Sequence, residues 1–216
     1  MKVLIAAPLR QDPKIFVEYQ KGLDSLIIPD GVQVDRYFVV NNCDEVIPYI
    51  RDAEYDVVNT ENTMMYQDHL WTGELISGMT VYRNMTIRRA LEGGYDYLLS
   101  VDTDLVLEEH TLQQLMEDDK DCVAGLFWTN GWSNAWMYDQ VSENNLPEWK
   151  TPGLYRVGGT GALFLIKRKV LEAGVEEIAF DDLNAGQRAY IQDYYKANIR
   201  PLLSPQVIDR SHPFPH

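Results

Sequence analysis

The stretch YLLSVDTDLVL, Tyr97 to Leu107, limits what this chain can become more than any other. Tyr97 to Val101 has the length and apolar character of a buried strand, and it stops abruptly at Asp102-Thr103-Asp104. Carboxylates at the end of such a strand repel one another and resist desolvation, so they need a partner. In an extended chain the side chains at i and i+2 point to one side, which predicts that Asp102 and Asp104 face a common point. A divalent cation at that point relieves both penalties, and carboxylate oxygens suit magnesium, manganese or calcium rather than zinc. The plainer reading of an Asp-x-Asp pair is a solvated acidic turn. Its position directly after an apolar strand, where open α/β sheets receive ligands, favours a binding site.

The chain before this stretch alternates strand and helix. KVLIAAP reads as a short buried strand closed by Pro8, followed by a loop carrying Arg10 and Asp12. Phe16, Tyr19, Leu23, Leu26 and Ile27 recur at helical spacing, and Pro29-Asp30-Gly31 ends that helix with turn chemistry. VDRYFVVNN reads as a second strand ending in Asn41-Asn42, and EYDVVN as a third ending at Asn59. This order predicts an α/β fold with a mostly parallel sheet flanked by helices. Residues 60–72 show no period and read as loop. From Gly73 to Leu91 a helical stripe of Ile76, Met79, Thr80, Ile87, Ala90 and Leu91 faces the sheet, with Arg83 on the same stripe. A cation there wants either a protein carboxylate or a ligand's phosphate, unless its head escapes to solvent. Gly93-Gly94 caps the helix.

Beyond the acidic pair, Glu108 to Asp119 reads as an acidic helix with Leu112, Leu115 and Met116 inward, and DCVAGLFW as another buried strand. The segment Trp128 to Trp149, with Trp132, Trp136 and Tyr138, lacks a period; its aromatics can stack on a sugar or nucleobase, or pack a small hairpin. Gly158, Gly159 and Gly161 interrupt a strand that resumes as ALFLI, so the backbone there can bend sharply or approach a ligand. Lys167-Arg168-Lys169 opens a short helix, without the Gly-Lys-Ser/Thr of a phosphate loop. A polar helix over Ala185 to Ala197 follows, then PLLSPQVIDRSH as a strand ending at His212; a single terminal histidine is ordinarily solvent decoration, but one at a strand end, in a chain with two aspartates short of a third ligand, is also a candidate for that ligand.

With 216 residues, 45% of them hydrophobic, the expectation is a single domain with an ample core. A formal net charge of −14 argues against general attraction to nucleic acid or anionic membrane. Cys43 and Cys122 lack metal-ligand spacing and read as reduced and structural, which suits a cytoplasmic protein. The first strand starts at Lys2, leaving no room for a signal peptide, and no apolar run reaches membrane-spanning length.

The order of these signals resembles the GT-A glycosyltransferases, in particular the family 2 type: a first strand and loop, Asn at the end of the second strand, Arg83-Asn84 one helix before YDYLLSVDTDLVL, the loop GGTGA, an acidic pair and a late histidine. The resemblance implies one GT-A-like, Rossmann-like catalytic domain, with a nucleotide-sugar-binding half over 1–107 and an acceptor-facing half over 108–216. It implies a metal-dependent, inverting transfer from a nucleoside-diphosphate sugar, with UDP as the expected nucleotide, to an acceptor hydroxyl. Pro8, Arg10 and Asn41 would line the nucleoside pocket. Asp102 and Asp104, with His212, would hold Mn²⁺ or Mg²⁺ against the diphosphate, Arg83 would offset its charge, and Thr103, Gly159 and Thr160 would lie along the donor site. The family places Glu-Asp at the start of the helix before its last strand; here those positions fall near Gly186 and Gln187, so the base would be Asp182, Asp181 or Asp193. Two other readings share these residues. One is a haloacid-dehalogenase-type phosphatase, with Asp102 as nucleophile and Asp104 as general acid, although three strands precede the motif instead of none. The other is a nucleotide-sugar-binding domain that has lost its base.

Overall fold

The computed structural model describes residues 1–60, 73–129, 132–136, 152–157, 159–174 and 183–194. The chain gathers into two compact units, Met1–Ala135 with Gly159–Ala179, and Trp136–Gly158 with Phe180–His216. The first unit contains β1 (Lys2–Leu9), α1 (Pro13–Asp24), β2 (Gln33–Val40), a 3₁₀ turn (Asp44–Tyr49), β3 (Glu54–Val57), α2 (Gly73–Glu92), β4 (Tyr97–Val101), α3 (Thr111–Glu117) and β5 (Cys122–Ala124). Short strands follow at β6 (Trp128–Thr129), β7 (Trp132–Ser133), β8 (Ala135–Trp136) and β9 (Gly159–Thr160), then β10 (Leu163–Lys167) and α4 (Arg168–Glu172). In the second unit α5 spans Ala185–Tyr194.

Six strands form the central sheet in the order β3-β2-β1-β4-β10-β5. The first four are mutually parallel, whereas β10 runs antiparallel to both β4 and β5. The sequence dictates this layering through simple alternation, because neighbouring residues of a strand face opposite sides of a sheet. Val3, Ile5, Ala7, Leu9, Phe38, Val40, Leu99 and Val101 join Phe16, Tyr19 and Leu23 of α1 on one face. Leu4, Ala6, Tyr37, Val39 and Leu98 join Tyr82 and Ala90 of α2 on the other. Strands covered on both faces need near-continuous apolar runs: β1 is apolar from Val3 to Leu9, and β4 is interrupted only by the buried Ser100.

Local chemistry sets the helix ends. The Asp12 carboxylate accepts a hydrogen bond from the Lys14 backbone N–H at 2.8 Å, and Pro13 opens α1 where its missing N–H costs nothing. The same helix stops at Asp24, short of the expected Pro29: the Ser25 hydroxyl donates to the Gly22 carbonyl at 2.8 Å and the chain leaves the helix there. Leu26 still reaches the core after the turn, which is why the apolar period overran the helix, while Ile27 is exposed. Asn184 opens α5 by a reciprocal pair with Gln187, each side chain bonded to the other's backbone N–H at 2.9 Å.

Three other expectations need correction. Among the described side chains of α2, which exclude the expected Ile76, the buried residues are Tyr82, Thr86 and Ala90, with Met79, Ile87 and Leu91 only partly covered, so this part of the inward face is rotated from the apolar stripe towards a Tyr and a Thr. The strand expected over DCVAGLFW shrinks to Cys122–Ala124 at the sheet's edge, where Val123 is buried and Cys122 exposed. The acidic helix begins at Thr111 instead of Glu108, with Leu112 and Leu115 inward as expected. The strand assigned to PLLSPQVIDRSH and the end of the polar helix at Ala197 lie outside the described residues. Among the described residues no helix is long and apolar enough to cross a membrane.

Gly22 marks the contact that ties α1 to the segment following the acidic pair. A Cβ there would lie 3.0 Å from the Leu107 backbone nitrogen and 3.2 Å from Val106 Cγ1. Gly22→Val should therefore destabilise the fold by about 1–3 kcal/mol through overpacking. Urea denaturation reads this as a lower midpoint; an unchanged midpoint would show that the two segments are not in contact.

Candidate active site at the carboxyl ends of the parallel strands

Parallel strands deliver all their carboxyl ends to one edge of a sheet. Here Leu9, Val40, Val57 and Val101 end together, and the antiparallel β10, with Leu163 opposite Val101, starts at that edge. Arg10, Asn41, Asn59, Asp102 and the Gly159–Ala162 segment are thus brought into one neighbourhood by topology alone.

At the β2 and β3 ends, side-chain amides tie the backbone. Asn41, 5% exposed, donates from Nδ2 to the Val58 carbonyl at 2.7 Å, and its own N–H donates to the Leu9 carbonyl at 2.9 Å. Asn42, at φ 48°, uses its N–H on Asn59 Oδ1 at 2.7 Å and accepts the Thr60 N–H at 2.8 Å. The expected nucleoside-lining Asn41 is therefore a joint between three strand ends, with its amide nitrogen engaged by the protein. Pro8 stays within β1, half-buried and opposite Val39, and the strand continues through it to Leu9. Burial raises the pKa of the Tyr82 phenol, opposed by a hydrogen bond with Thr60 and by the charge of Arg10.

At the β4 end the extended backbone stops at Val101, and the chain turns, the Leu105 N–H donating to the Asp102 carbonyl at 3.2 Å. The i, i+2 alternation of a strand thus does not extend through Asp102-Thr103-Asp104, and the two acids differ in setting. Asp102 is partly covered, Thr103 is buried and Asp104 is exposed. Arg83 reaches from α2 so that Nη2 lies 3.4 Å from Asp102 Oδ1, with side chains 23% and 34% exposed respectively. An inward-facing arginine wants an anionic partner, and the Asp102 carboxylate is one that it has here. Beneath, the Tyr19 hydroxyl donates to the Val101 carbonyl at 3.4 Å; burial raises that phenol's pKa above its ordinary value, and the Asp102 charge adds to the effect.

The glycine-rich segment closes the third side. The Asp102 N–H donates to the Ala162 carbonyl at 2.8 Å, and Ala162 sits at φ 68°, a left-handed conformation that only firm surroundings hold in a residue with a Cβ. Those surroundings include Asn134, whose Nδ2 donates to the carbonyls of Gly125 at 2.9 Å and Gly161 at 3.1 Å and lies 3.4 Å from Thr160 Oγ1. Its Oδ1 accepts the Phe127 N–H at 2.9 Å. Sequence reading passed over Asn134, since it lies among tryptophans and asparagines with no spacing to single it out.

Hard carboxylate oxygens at Asp102 and Asp104 fit a magnesium or manganese ion, and a diphosphate can supply further oxygens. Among the described residues no group of three His, Cys, Asp or Glu side chains gathers to hold a metal. The third ligand expected at His212, and the expected bases Asp181 and Asp182, lie outside the described residues, as does the side chain of Asp193.

No family model matches the sequence. Short segments are similar to polyphosphate kinases: that of Prochlorococcus marinus (strain MIT 9313) is 36% identical over 50 residues, 23% of this chain and 7% of that protein. That of Bacillus anthracis is 39% identical over 57 residues, 26% of this chain and 8% of that protein. Such segments span less than a tenth of those kinases. Among solved structures, S. aureus TarS 1–349 in complex with UDP superposes with a TM-score of 0.50 at 16% identity, over 80% of this chain and 48% of that one. The chain thus spans about half of that TarS fragment. The α/β, GT-A-like fold expected from the order of the sequence motifs is the fold found, with its mostly parallel sheet flanked by helices.

Proposed function

We propose that this chain is a metal-dependent glycosyltransferase of the GT-A type, close to family 2, that moves a sugar from a UDP-sugar to an acceptor hydroxyl with inversion. The observation that carries this reading is the meeting of Asp102, Arg83 and the Gly159–Ala162 segment at the carboxyl edge of a sheet whose fold is shared with a protein solved in complex with UDP. The nucleoside would lie over Pro8, Arg10 and the Asn41 corner. The diphosphate would lie towards Asp102, Thr103, Asp104, Gly159 and Thr160, and His212 would complete the cation's protein ligands. A bound Mn²⁺ or Mg²⁺ would offset the charge that grows on the departing nucleoside diphosphate. Arg83 adds a fixed positive charge beside the same acid, and it moves no proton in doing so. A carboxylate at Asp182, Asp181 or Asp193 would take the acceptor's proton. The partners are then a nucleotide-sugar donor and a hydroxyl-bearing acceptor, and a cytoplasmic setting suits such a donor.

The test is release of free UDP from a panel of UDP-sugars, with Mn²⁺, with Mg²⁺ and with chelator. The proposal expects metal-dependent release from at least one donor, faster with an acceptor present. Saturable UDP binding without release would instead identify a binding domain. Hydrolysis of a chromogenic phosphate monoester would point to phosphatase chemistry.

A further inference from the structure

Asn134 joins two chain segments that the sequence holds 27 residues apart, and all of its polar groups take part. Its side-chain nitrogen donates to Gly125 and Gly161, its side-chain oxygen accepts from Phe127, its N–H donates to the Phe127 carbonyl at 3.1 Å, and its carbonyl accepts the Gly161 N–H at 3.2 Å. Both ends of Gly161, its N–H and its C=O, are therefore held by one residue. The next residue is Ala162 at φ 68°, and the Ala162 carbonyl receives the Asp102 N–H. The path from Asn134 to the acid thus runs through one clamped residue, one strained residue and one backbone hydrogen bond.

From this geometry we infer that Asn134 is a positioning residue for Asp102, acting through the Gly159–Ala162 segment; the inference rests on the proposed role of Asp102 in holding cation and diphosphate. The residue type is demanded by the chemistry. The Gly125 carbonyl takes a donor, the Gly161 carbonyl takes one beside the Leu163 N–H it already accepts at 2.8 Å, and the Phe127 N–H takes an acceptor; a primary amide supplies both functions at this reach. Aspartate has the same shape but turns a carboxylate oxygen towards the Gly125 and Gly161 carbonyls. Alanine supplies neither donor nor acceptor. Thr160, whose hydroxyl oxygen lies 3.4 Å from the same amide nitrogen, is held on the donor side by the same clamp.

The experiment combines amide hydrogen exchange with UDP thermal shifts on the full chain, comparing Asn134→Ala and Asn134→Asp with the parent; Asn134→Ser replaces either variant if it does not fold. Exchange should accelerate by about tenfold or more at the Phe127 amide, whose side-chain acceptor is removed, and at the Gly161 and Asp102 amides, whose backbone acceptors lose the side-chain clamp that holds their segment in place, while Leu98 and Leu99 in β4 keep their protection. The Mn²⁺-dependent increment of the UDP shift should fall in the variants, and the metal-free shift should change little. A merely structural asparagine would lower the starting melting temperature and leave that increment intact, and this result overturns the inference. Unchanged exchange at Asp102 also overturns it. If the parent chain itself shows no Mn²⁺-dependent increment, the functional reading fails and positioning for that site falls with it; the exchange data still report whether the clamp exists.

Discussion

Asp104→Ala will abolish the manganese-dependent part of UDP binding and leave the fold intact. Asp104 is exposed on the turn after β4, and substitutions at such positions change stability within about 0.5 kcal/mol. A ligand that binds only the folded chain stabilises it by about 2.7 kcal/mol at a hundredfold excess over Kd, which is several degrees of melting temperature at this size. The variant should start from the parent's melting temperature and lose the increment that Mn²⁺ adds to UDP. Asp102→Ala should lose the same increment from a lowered starting point, since it also removes the carboxylate contact of the half-buried Arg83 and disturbs the turn. The contrast between the two variants separates ligand chemistry from structure. An increment that survives both would place the cation elsewhere.

Phe38→Ala will remove a large fraction of the chain's stability. Phe38 is fully buried in β2, its ring edge-on to Phe16 with centroids 5.4 Å apart and 6.1 Å from the Tyr19 ring. Truncating a buried phenylalanine costs about 3–5 kcal/mol, the lost transfer energy plus the cavity that rigid neighbours cannot fill. A domain of ordinary stability has about 5–15 kcal/mol in total, so a large fraction would go. Urea unfolding should show a much lower midpoint at an unchanged slope. A loss below about 1 kcal/mol would mean that α1 and the sheet close over the gap, contrary to close packing.

What the sequence made legible follows from which interactions are local. The runs VLIAA and LFLI are apolar without interruption and YLLSV is broken only by the buried Ser100, and each became a strand of the sheet because a two-sided core suits them. Asp12 and Pro13 fixed the start of α1 for reasons contained within three residues. Errors arose where a pattern outran its cause. Leu26 keeps the helical period although the chain has already turned at Ser25, because a turn can also point a leucine at the core. The inward face of α2 was misread because Tyr82 and Thr86 are polar by type, yet one packs its ring and the other satisfies its hydroxyl on the Arg83 carbonyl at 2.7 Å. At the site, Asp102 and Arg83 stood out as charges in apolar surroundings, whereas the role of Asn134 exists only once Gly125, Phe127 and Gly161 have been brought around it. Asn41 is expected along the nucleoside pocket, and its amide nitrogen also ties the β2 end to the Val58 carbonyl, a contact that composition does not encode.

A crystal structure of the chain grown with MnCl₂ and UDP tests the central claim most directly, because manganese is located by its anomalous scattering. The account predicts one peak on the turn after β4, within coordination distance of carboxylate oxygens of Asp102 and Asp104 and of the diphosphate, with the uracil towards Arg10 and the Asn41 corner. A map with UDP bound elsewhere, or with both aspartates turned away from the metal, would contradict it.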